Sequence, residues 1–259
     1  MKPHLLVTND DGIESAFLHR LVSALEQKFE LSVAAPAFEQ SWIGRAISRH
    51  KEIEVLSGAS HFPETVQAWA INGTPTDCVN IAMGHLVERP VDAVVSGINI
   101  GYNTTETLVL SSGTVAGAIE GAQWGLPAIA FSQCVPFSDF ENIRDANGHI
   151  KNKAFEASQL AAAQHAAEIT SDILKNPPSE GEVINVNFPE ITSPDTQIKK
   201  TVPAKLRLGS LYTPCGSGKF KFQFSMGELM EANPLSDRSV LEDGFISYGR
   251  LNFGRIGVL

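Results

Sequence analysis

Leu5-Leu6-Val7-Thr8-Asn9-Asp10-Asp11-Gly12 decides the fold class. A short uncharged run followed by turn-forming Asn-Asp-Asp-Gly describes a strand buried on both faces that ends in a polar loop. Phe17, Leu18, Leu21, Val22 and Leu25 then recur at helical spacing. Leu31-Ser32-Val33-Ala34-Ala35 forms a second strand, stopped by Pro36. The unit is β-α-β, whose crossover is right-handed in nearly all cases.

The same alternation continues outward. Val66 to Ile71 is strand-like, and Thr74-Pro75-Thr76-Asp77 is a helix start with Thr74 as N-cap and Pro75 in the first turn, continuing through Cys78 to Leu86. Val91-Asp92-Ala93-Val94-Val95 predicts a strand ending at Ser96-Gly97. Thr114 to Trp124 predicts a helix rich in Gly and Ala, Pro127 to Ser132 a strand, Lys153 to Lys175 a long helix, and Val183 to Phe188 a late strand. The pattern predicts an α/β fold: a Rossmann-like, doubly wound, mostly parallel sheet. Beyond Pro189 the core-like patterning weakens. Lys219-Phe220-Lys221-Phe222-Gln223-Phe224 alternates and predicts a half-buried strand, in a hairpin. The expected organisation is a catalytic domain over 1–189 and an extended C-terminal β arm over 190–259.

Open parallel sheets bind ligands beyond the carboxyl ends of their strands, and three polar segments fall there. Asp10 and Asp11 are adjacent carboxylates. Such a pair is either a solvated turn or a holder for a hard cation, which takes oxygen ligands. Ser96-Gly97-Ile98-Asn99-Ile100-Gly101-Tyr102-Asn103 is either an ordinary Gly/Asn loop or a source of amide groups for a metal or a phosphate. Ser111-Ser112-Gly113-Thr114 opens a helix, where capping and phosphate binding are both natural roles. Gln40-Ser41-Trp42-Ile43-Gly44 follows the second strand and lacks the GxSxG setting of a serine hydrolase. GxxxxGK[ST] and an early GxGxxG are missing, which excludes the usual P-loop and dinucleotide fingerprints.

The composition narrows the partners. Of 259 residues, 43% are hydrophobic and 19% charged, a globular balance, and no apolar run reaches the length of a membrane span. The formal charge of −9, without a basic stripe, argues against a nucleic-acid polymer as partner. Cys78, Cys134 and Cys215 form no CxxC pair and read as reduced thiols, and the seven histidines lack HExxH spacing. Met1-Lys2-Pro3-His4 leads straight into a strand without a signal-peptide layout, so the expected location is cytoplasmic.

Taken in order, Val7-Thr8-Asn9-Asp10-Asp11-Gly12, Ala35-Pro36 with Gln40-Ser41, Asn72-Gly73-Thr74-Pro75-Thr76-Asp77-Cys78-Val79, Val94-Val95-Ser96-Gly97-Ile98-Asn99 and Ser112-Gly113-Thr114-Val115 resemble the SurE (survival protein E) family of nucleotidases. Weaker echoes occur at Asn185-Val186-Asn187-Phe188-Pro189 and from Asp237 to Ser247. The resemblance implies hydrolysis of nucleoside 5′- or 3′-monophosphates with Mg²⁺ or Mn²⁺, and self-association as a dimer or tetramer through the arm. It implies Asp10, Asp11, Ser41 and Asn99 as metal ligands, and Asn103 with Ser112, Gly113 and Thr114 as phosphate contacts. Asp11 and Asn103 are the expected catalytic residues, Asp11 as the better placed general base. Adjacent aspartates differ from the Asp-x-Asp of phosphatases that form an aspartyl-phosphate. A non-catalytic nucleotide-binding module and a purely structural oligomer are the remaining alternatives. Three departures bear on substrate preference more than on fold: Trp42 where the family has Gly, a longer loop from Thr104 to Ser111, and Ser247-Tyr248-Gly249-Arg250-Leu251 in place of a stretch with Thr-Pro.

Overall fold

The computed structural model describes residues 2–57 and 61–255; the last four residues of the expected arm lie outside them. In chain order the elements are β1 (His4–Thr8), α1 (Ala16–Leu25), β2 (Glu30–Pro36), β3 (Val55–Ser57), β4 (Gln67–Ile71), α2 (Pro75–Ile81), β5 (Ala93–Ile100), α3 (Thr105–Ser111), α4 (Gly113–Gln123), β6 (Ala128–Gln133), α5 (Phe140–Asp145), α6 (Lys153–Lys175), β7 (Glu182–Phe188), β8 (Ile198–Thr201), β9 (Leu206–Arg207), β10 (Tyr212–Pro214), β11 (Phe220–Phe222), β12 (Glu228–Leu229), α7 (Asp237–Glu242) and β13 (Ile246–Asn252).

The main sheet has the order β3-β4-β2-β1-β5-β6-β7-β13-β8. From β4 to β7 all neighbours are parallel. The chain winds from β1 outward through β2 to β4, then returns to the other side of β1 and winds outward through β5, β6 and β7. The order therefore reverses between β1 and β5, and a crevice opens there at the carboxyl ends of the strands.

Both faces of the sheet are covered. Leu5 and Val7 pack with α1 residues such as Phe17, Leu21 and Leu25 and with the alanines of α6. Leu6, between them, points to the other side with Cys78 and Val79 of α2. This alternation is why Leu5-Leu6-Val7 is apolar on both faces of the sheet. Helix α4 lies very close to the sheet, since a Cβ on Gly121 would stand 2.4 Å from Val94 Cβ. Helix α2 begins with a capping box, in which Thr74 Oγ1 accepts from Asp77 N–H and Asp77 Oδ2 accepts from Thr74 N–H.

Three expectations change. Strand β5 does not stop at Ser96-Gly97 but runs to Ile100, with a register shift against β6 between Ser96 and Asn99. The expected loop from Thr104 contains α3, whose Leu108 and Val109 are buried. The alternating 219–224 segment is not half-buried: only Phe220–Phe222 pairs, with Tyr212–Pro214, and every residue of the two strands is exposed. Its aromatics meet other arm residues and Trp42 rather than the core. The chain beyond Pro189 also rejoins the main sheet at its edge. Strand β13 returns antiparallel to β7 and carries β8 at the sheet edge, and the segment between β8 and α7 holds the two small hairpin pairings. Cys78 is buried, Cys134 half-buried and Cys215 exposed, and all three are free thiols. No described helix is long and apolar enough to cross a membrane.

Candidate active site

The loop after β1 sits in the crevice between β1 and β5. Asn9 Nδ2 donates to Gly12 O at 2.8 Å and closes the turn, so Asp10 and Asp11 project from a fixed backbone. Both are buried, with 3% and 8% of their surfaces exposed. Thr114 Oγ1, from the first turn of α4, donates a hydrogen bond to Asp10 Oδ1. Asp11 Oδ2 accepts from the Ile100 N–H at 2.9 Å, at the end of β5. Burial pushes the Asp10 carboxyl up to about 6, with the Thr114 hydrogen bonds opposing and the charge of Glu39 adding. Burial, followed by the neighbouring Asp10 charge, raises Asp11 well above the ordinary carboxylate range. Two desolvated carboxylates of like charge with no cationic side chain among the causes of their shifts form a site that favours a cation.

The segment after β2 approaches the same carboxylates. Gln40 N–H donates to Asp10 O at 2.7 Å. Ser41 is exposed, and its hydroxyl donates to Glu39 Oε1 at 2.6 Å. Asn99 is buried at the end of β5. Its Nδ2 donates to Gly101 O at 3.0 Å, which leaves Oδ1 as the side chain's acceptor atom. Among the described residues no group of three His, Cys, Asp or Glu side chains is arranged to hold a metal ion. Two carboxylates, an amide oxygen and a hydroxyl make an all-oxygen donor set, which suits Mg²⁺ or Mn²⁺ rather than zinc.

Asn103 is held from four sides. Its N–H donates to Asn187 Oδ1 at 2.7 Å and its Nδ2 to Ser132 Oγ at 2.8 Å, while its carbonyl accepts from Asn185 Nδ2 at 2.8 Å and Asn187 Nδ2 at 3.3 Å. Asn185 and Asn187 are thus positioning residues for the loop after β5. In the sequence they stood out only as an echo of a family motif. Ser132 and Glu39 carried no signal there.

The α4 N-terminus differs from a plain phosphate cradle. Ser112 Oγ accepts from Val115 N–H at 3.0 Å and caps the helix. Thr114 is fully buried and its hydroxyl is committed to Asp10. Gly113 is required by the carboxylate, since a Cβ there would stand 2.8 Å from Asp10 Cβ and 2.9 Å from its Oδ2. The turn therefore positions Asp10 as well as facing the crevice.

A second carboxylate hub was not among the expected site residues. Asp237 is buried and accepts from Thr105 N–H at 2.8 Å, Ala204 N–H at 2.9 Å and Arg238 N–H at 2.7 Å. It ties the start of α3, where Thr105 has a φ of +67°, to the chain leaving β8. Burial lifts its carboxyl to about 6, against those hydrogen bonds. Trp42, with a φ of +60°, stacks edge-on against Phe222 at 5.3 Å and lies 6.1 Å from Phe224, so the arm folds back beside Ser41.

The family model described as Survival protein SurE matches residues 5–210. The chain belongs to the SurE family. The 5′-nucleotidase SurE of Cytophaga hutchinsonii is 36% identical to this SurE-family chain over 252 residues, covering 95% of it and 89% of that protein. The 5′-nucleotidase SurE of Hyperthermus butylicus is 35% identical over 246 residues, covering 90% and 78%. The crystal structure of the SurE protein from Aquifex aeolicus matches the fold with a TM-score of 0.73 at 25% identity, covering 96% of this chain and 93% of that one. The sheet order, the β1–β5 crevice and the C-terminal antiparallel strands are thus those of a SurE-family member.

Proposed function

We propose that this SurE-family chain hydrolyses nucleoside monophosphates to nucleoside and phosphate with a divalent cation, Mg²⁺ or Mn²⁺. The observation that carries the reading is the buried Asp10–Asp11 pair at the reversal point of a parallel sheet, bonded to the first turn of α4. The relatives' description as 5′-nucleotidases supports the substrate class. Asp10, Asp11, Asn99 and Ser41 hold the cation in this reading. The chemistry such a cation supplies when bound is neutralisation of phosphoryl charge and a more acidic water.

The chain's own residues do the rest. The positive end of α4 and the Gly113 N–H face the phosphoryl oxygens. Thr114 fixes Asp10 through Oγ1, and Ser112 holds the first turn of α4 in place through its cap. Asn103, pinned by Ser132, Asn185 and Asn187, orients the phosphate by donating the second N–H of its Nδ2, the first being held by Ser132 Oγ. Asp11 keeps Oδ2 on the Ile100 N–H and takes the proton of the attacking water at Oδ1. The arm, with Tyr212, Phe220, Met226 and Leu229 exposed, joins copies of the chain into a dimer or tetramer.

The test is phosphate release from nucleoside monophosphates with Mg²⁺, with Mn²⁺ and in excess chelator. Turnover that survives chelation, or none with either cation, sinks the reading. Removal of residues 205–230 is expected to reduce the number of protomers per particle in light scattering; an unchanged number refutes the arm's role.

A further inference from the structure

The segment that carries Ser41 is held by groups that take no part in the phosphate chemistry. Gln40 N–H donates to Asp10 O at 2.7 Å, and Gly44 N–H donates to Ser111 O at 3.0 Å. Further along, Ala46 O accepts from Thr74 Oγ1 at 2.8 Å, and Ser48 N–H donates to Asp77 Oδ1 at 3.1 Å. Between these anchors the Arg45 guanidinium donates to Glu120 Oε2. Glu120 belongs to α4 and is 3% exposed, and its Oε1 accepts from Asn80 Nδ2 at 2.8 Å. Both oxygens of this buried carboxylate are therefore in use, one on α2 and one on the loop after β2.

Helix α4 thus spans two parts of the site. Its first turn holds Asp10 through Thr114. Glu120, six residues after Thr114 and so about 9 Å further along the helix, holds Arg45. The near end of the loop is packed into the same corner as Asp10, since a Cβ on Gly113 would stand 3.1 Å from Gln40 O. Ser41 lies in the short span from Gln40 to Gly44, which turns through φ +60° at Trp42 and +55° at Gly44. The Ser41 side chain is exposed and bonds only Glu39, on the same segment. Its hydroxyl goes where the span puts it. With 41% of the Arg45 side chain in solvent, the ion pair adds little net stability. What it fixes is the path of the loop.

We propose that Arg45 and Glu120 are positioning residues for Ser41: the buried carboxylate on α4 holds the loop through Arg45, and so sets the Ser41 hydroxyl relative to Asp10 and Asp11. The proposal rests on the reading of Ser41 as a cation ligand and does not require turnover. It makes α4 the common support of a carboxylate and a hydroxyl that come from different strands. Neither Arg45 nor Glu120 touches the cation or the substrate in this arrangement.

The experiment uses the full-length chain and Mn²⁺ as the probe. Arg45→Ala, Glu120→Gln, Ser41→Ala and the double variant Ser41→Ala with Arg45→Ala are compared by calorimetry and by amide hydrogen exchange without cation. Arg45→Ala is expected to weaken Mn²⁺ binding about tenfold or more, and Glu120→Gln to weaken it in the same direction. In the Ser41→Ala background the Arg45 change should have little further effect, because the two act through one ligand. The amides of Gly44 and Ser48 should exchange faster in Arg45→Ala while those of β1 keep the parental rate. A full loss of affinity from Arg45→Ala in the Ser41→Ala background overturns the proposal, as does equal acceleration of the β1 amides, which marks a general loss of stability. Parental Mn²⁺ affinity in both Arg45→Ala and Glu120→Gln, with the parent active on AMP, overturns it and leaves the nucleotidase reading intact. The expected coupling in a parent that binds Mn²⁺ yet releases no phosphate from AMP supports the proposal and overturns the nucleotidase reading.

Discussion

Asp10→Asn should stabilise the cation-free protein at neutral pH while abolishing its response to cations. The folded Asp10 carboxyl is pushed from an ordinary 3.8 up to about 6 by burial. At 1.36 kcal/mol per pH unit, that displacement corresponds to about 3 kcal/mol. The sign follows from linkage. Below pH about 4 the group is protonated whether folded or unfolded, and the stability it contributes is fully present. As the pH rises through about 6 the folded chain must ionise a carboxyl its surroundings disfavour, and that stability is lost. Asparagine keeps an Oδ1 for the Thr114 hydroxyl and never ionises. In excess chelator at pH 7.5 the variant should therefore be more stable than the parent by up to about 3 kcal/mol, or roughly 6–12 °C in melting temperature for a chain of this size. The gap should close on acidification to pH about 4. A cation at 100 times its Kd returns about 2.7 kcal/mol to the parent and little to the variant, so added Mg²⁺ or Mn²⁺ should erase the difference. Calorimetric melts in chelator and in cation, at both pH values, measure all of this. A variant that melts at or below the parent in chelator at pH 7.5, or that gains the parental increment from cation, refutes the placement of Asp10 as a buried cation ligand.

Gly113→Ala should disturb the same carboxylate by contact, because its Cβ would meet Asp10 at 2.8 Å and Gln40 O at 3.1 Å; a destabilisation of about 1–3 kcal/mol with a larger fractional loss of Mn²⁺ affinity is expected by denaturant titration and calorimetry. Asp237→Ala strands the N–H groups of Thr105, Ala204 and Arg238 and should cost about 2–4 kcal/mol, with Asp237→Asn recovering part of it in urea melts; an Asp237→Ala chain as stable as the parent contradicts the hub. Trp42→Gly relaxes a backbone at φ +60° by about 1 kcal/mol but removes the surface on which Phe222 and Phe224 rest, so protease should cut within 206–229 faster while cation affinity holds. An arm cut at the parental rate shows that Trp42 does not anchor it.

How legible the fold was depended on where each element draws its stability. Strands β1, β2, β5, β6 and β7 are central and parallel, so both faces are apolar and the run is visible locally. The Thr74 N-cap with Pro75 after it is local and was equally visible, and the structure adds Asp77 to make it a capping box. Helix α3 was hidden because its start depends on Asp237, which bonds the Thr105 N–H from 132 residues away. Strand β13 was hidden because Ser247-Tyr248-Gly249-Arg250 has no apolar alternation, and its place comes from pairing with β7 on one side and β8 on the other. The 219–224 strand misled for the converse reason: its alternation is real, but the aromatic face is used against Trp42 and Tyr212 instead of a core.

The site shows the same division at higher stakes. Adjacent aspartates at a strand end and a Gly between two hydroxyl residues at a helix start are local signals, and both fall at the crevice. Their relation to each other is not local. Thr114 reaches Asp10 across 104 residues, and the glycine before it is demanded by the Asp10 carboxylate. Residues expected to touch the phosphate therefore touch the carboxylate first. The consequence for the proposed function is mechanical: a cation that relieves the charge on Asp10 would be coupled through Thr114 and Gly113 to the start of α4, so cation and phosphate binding there should tighten together.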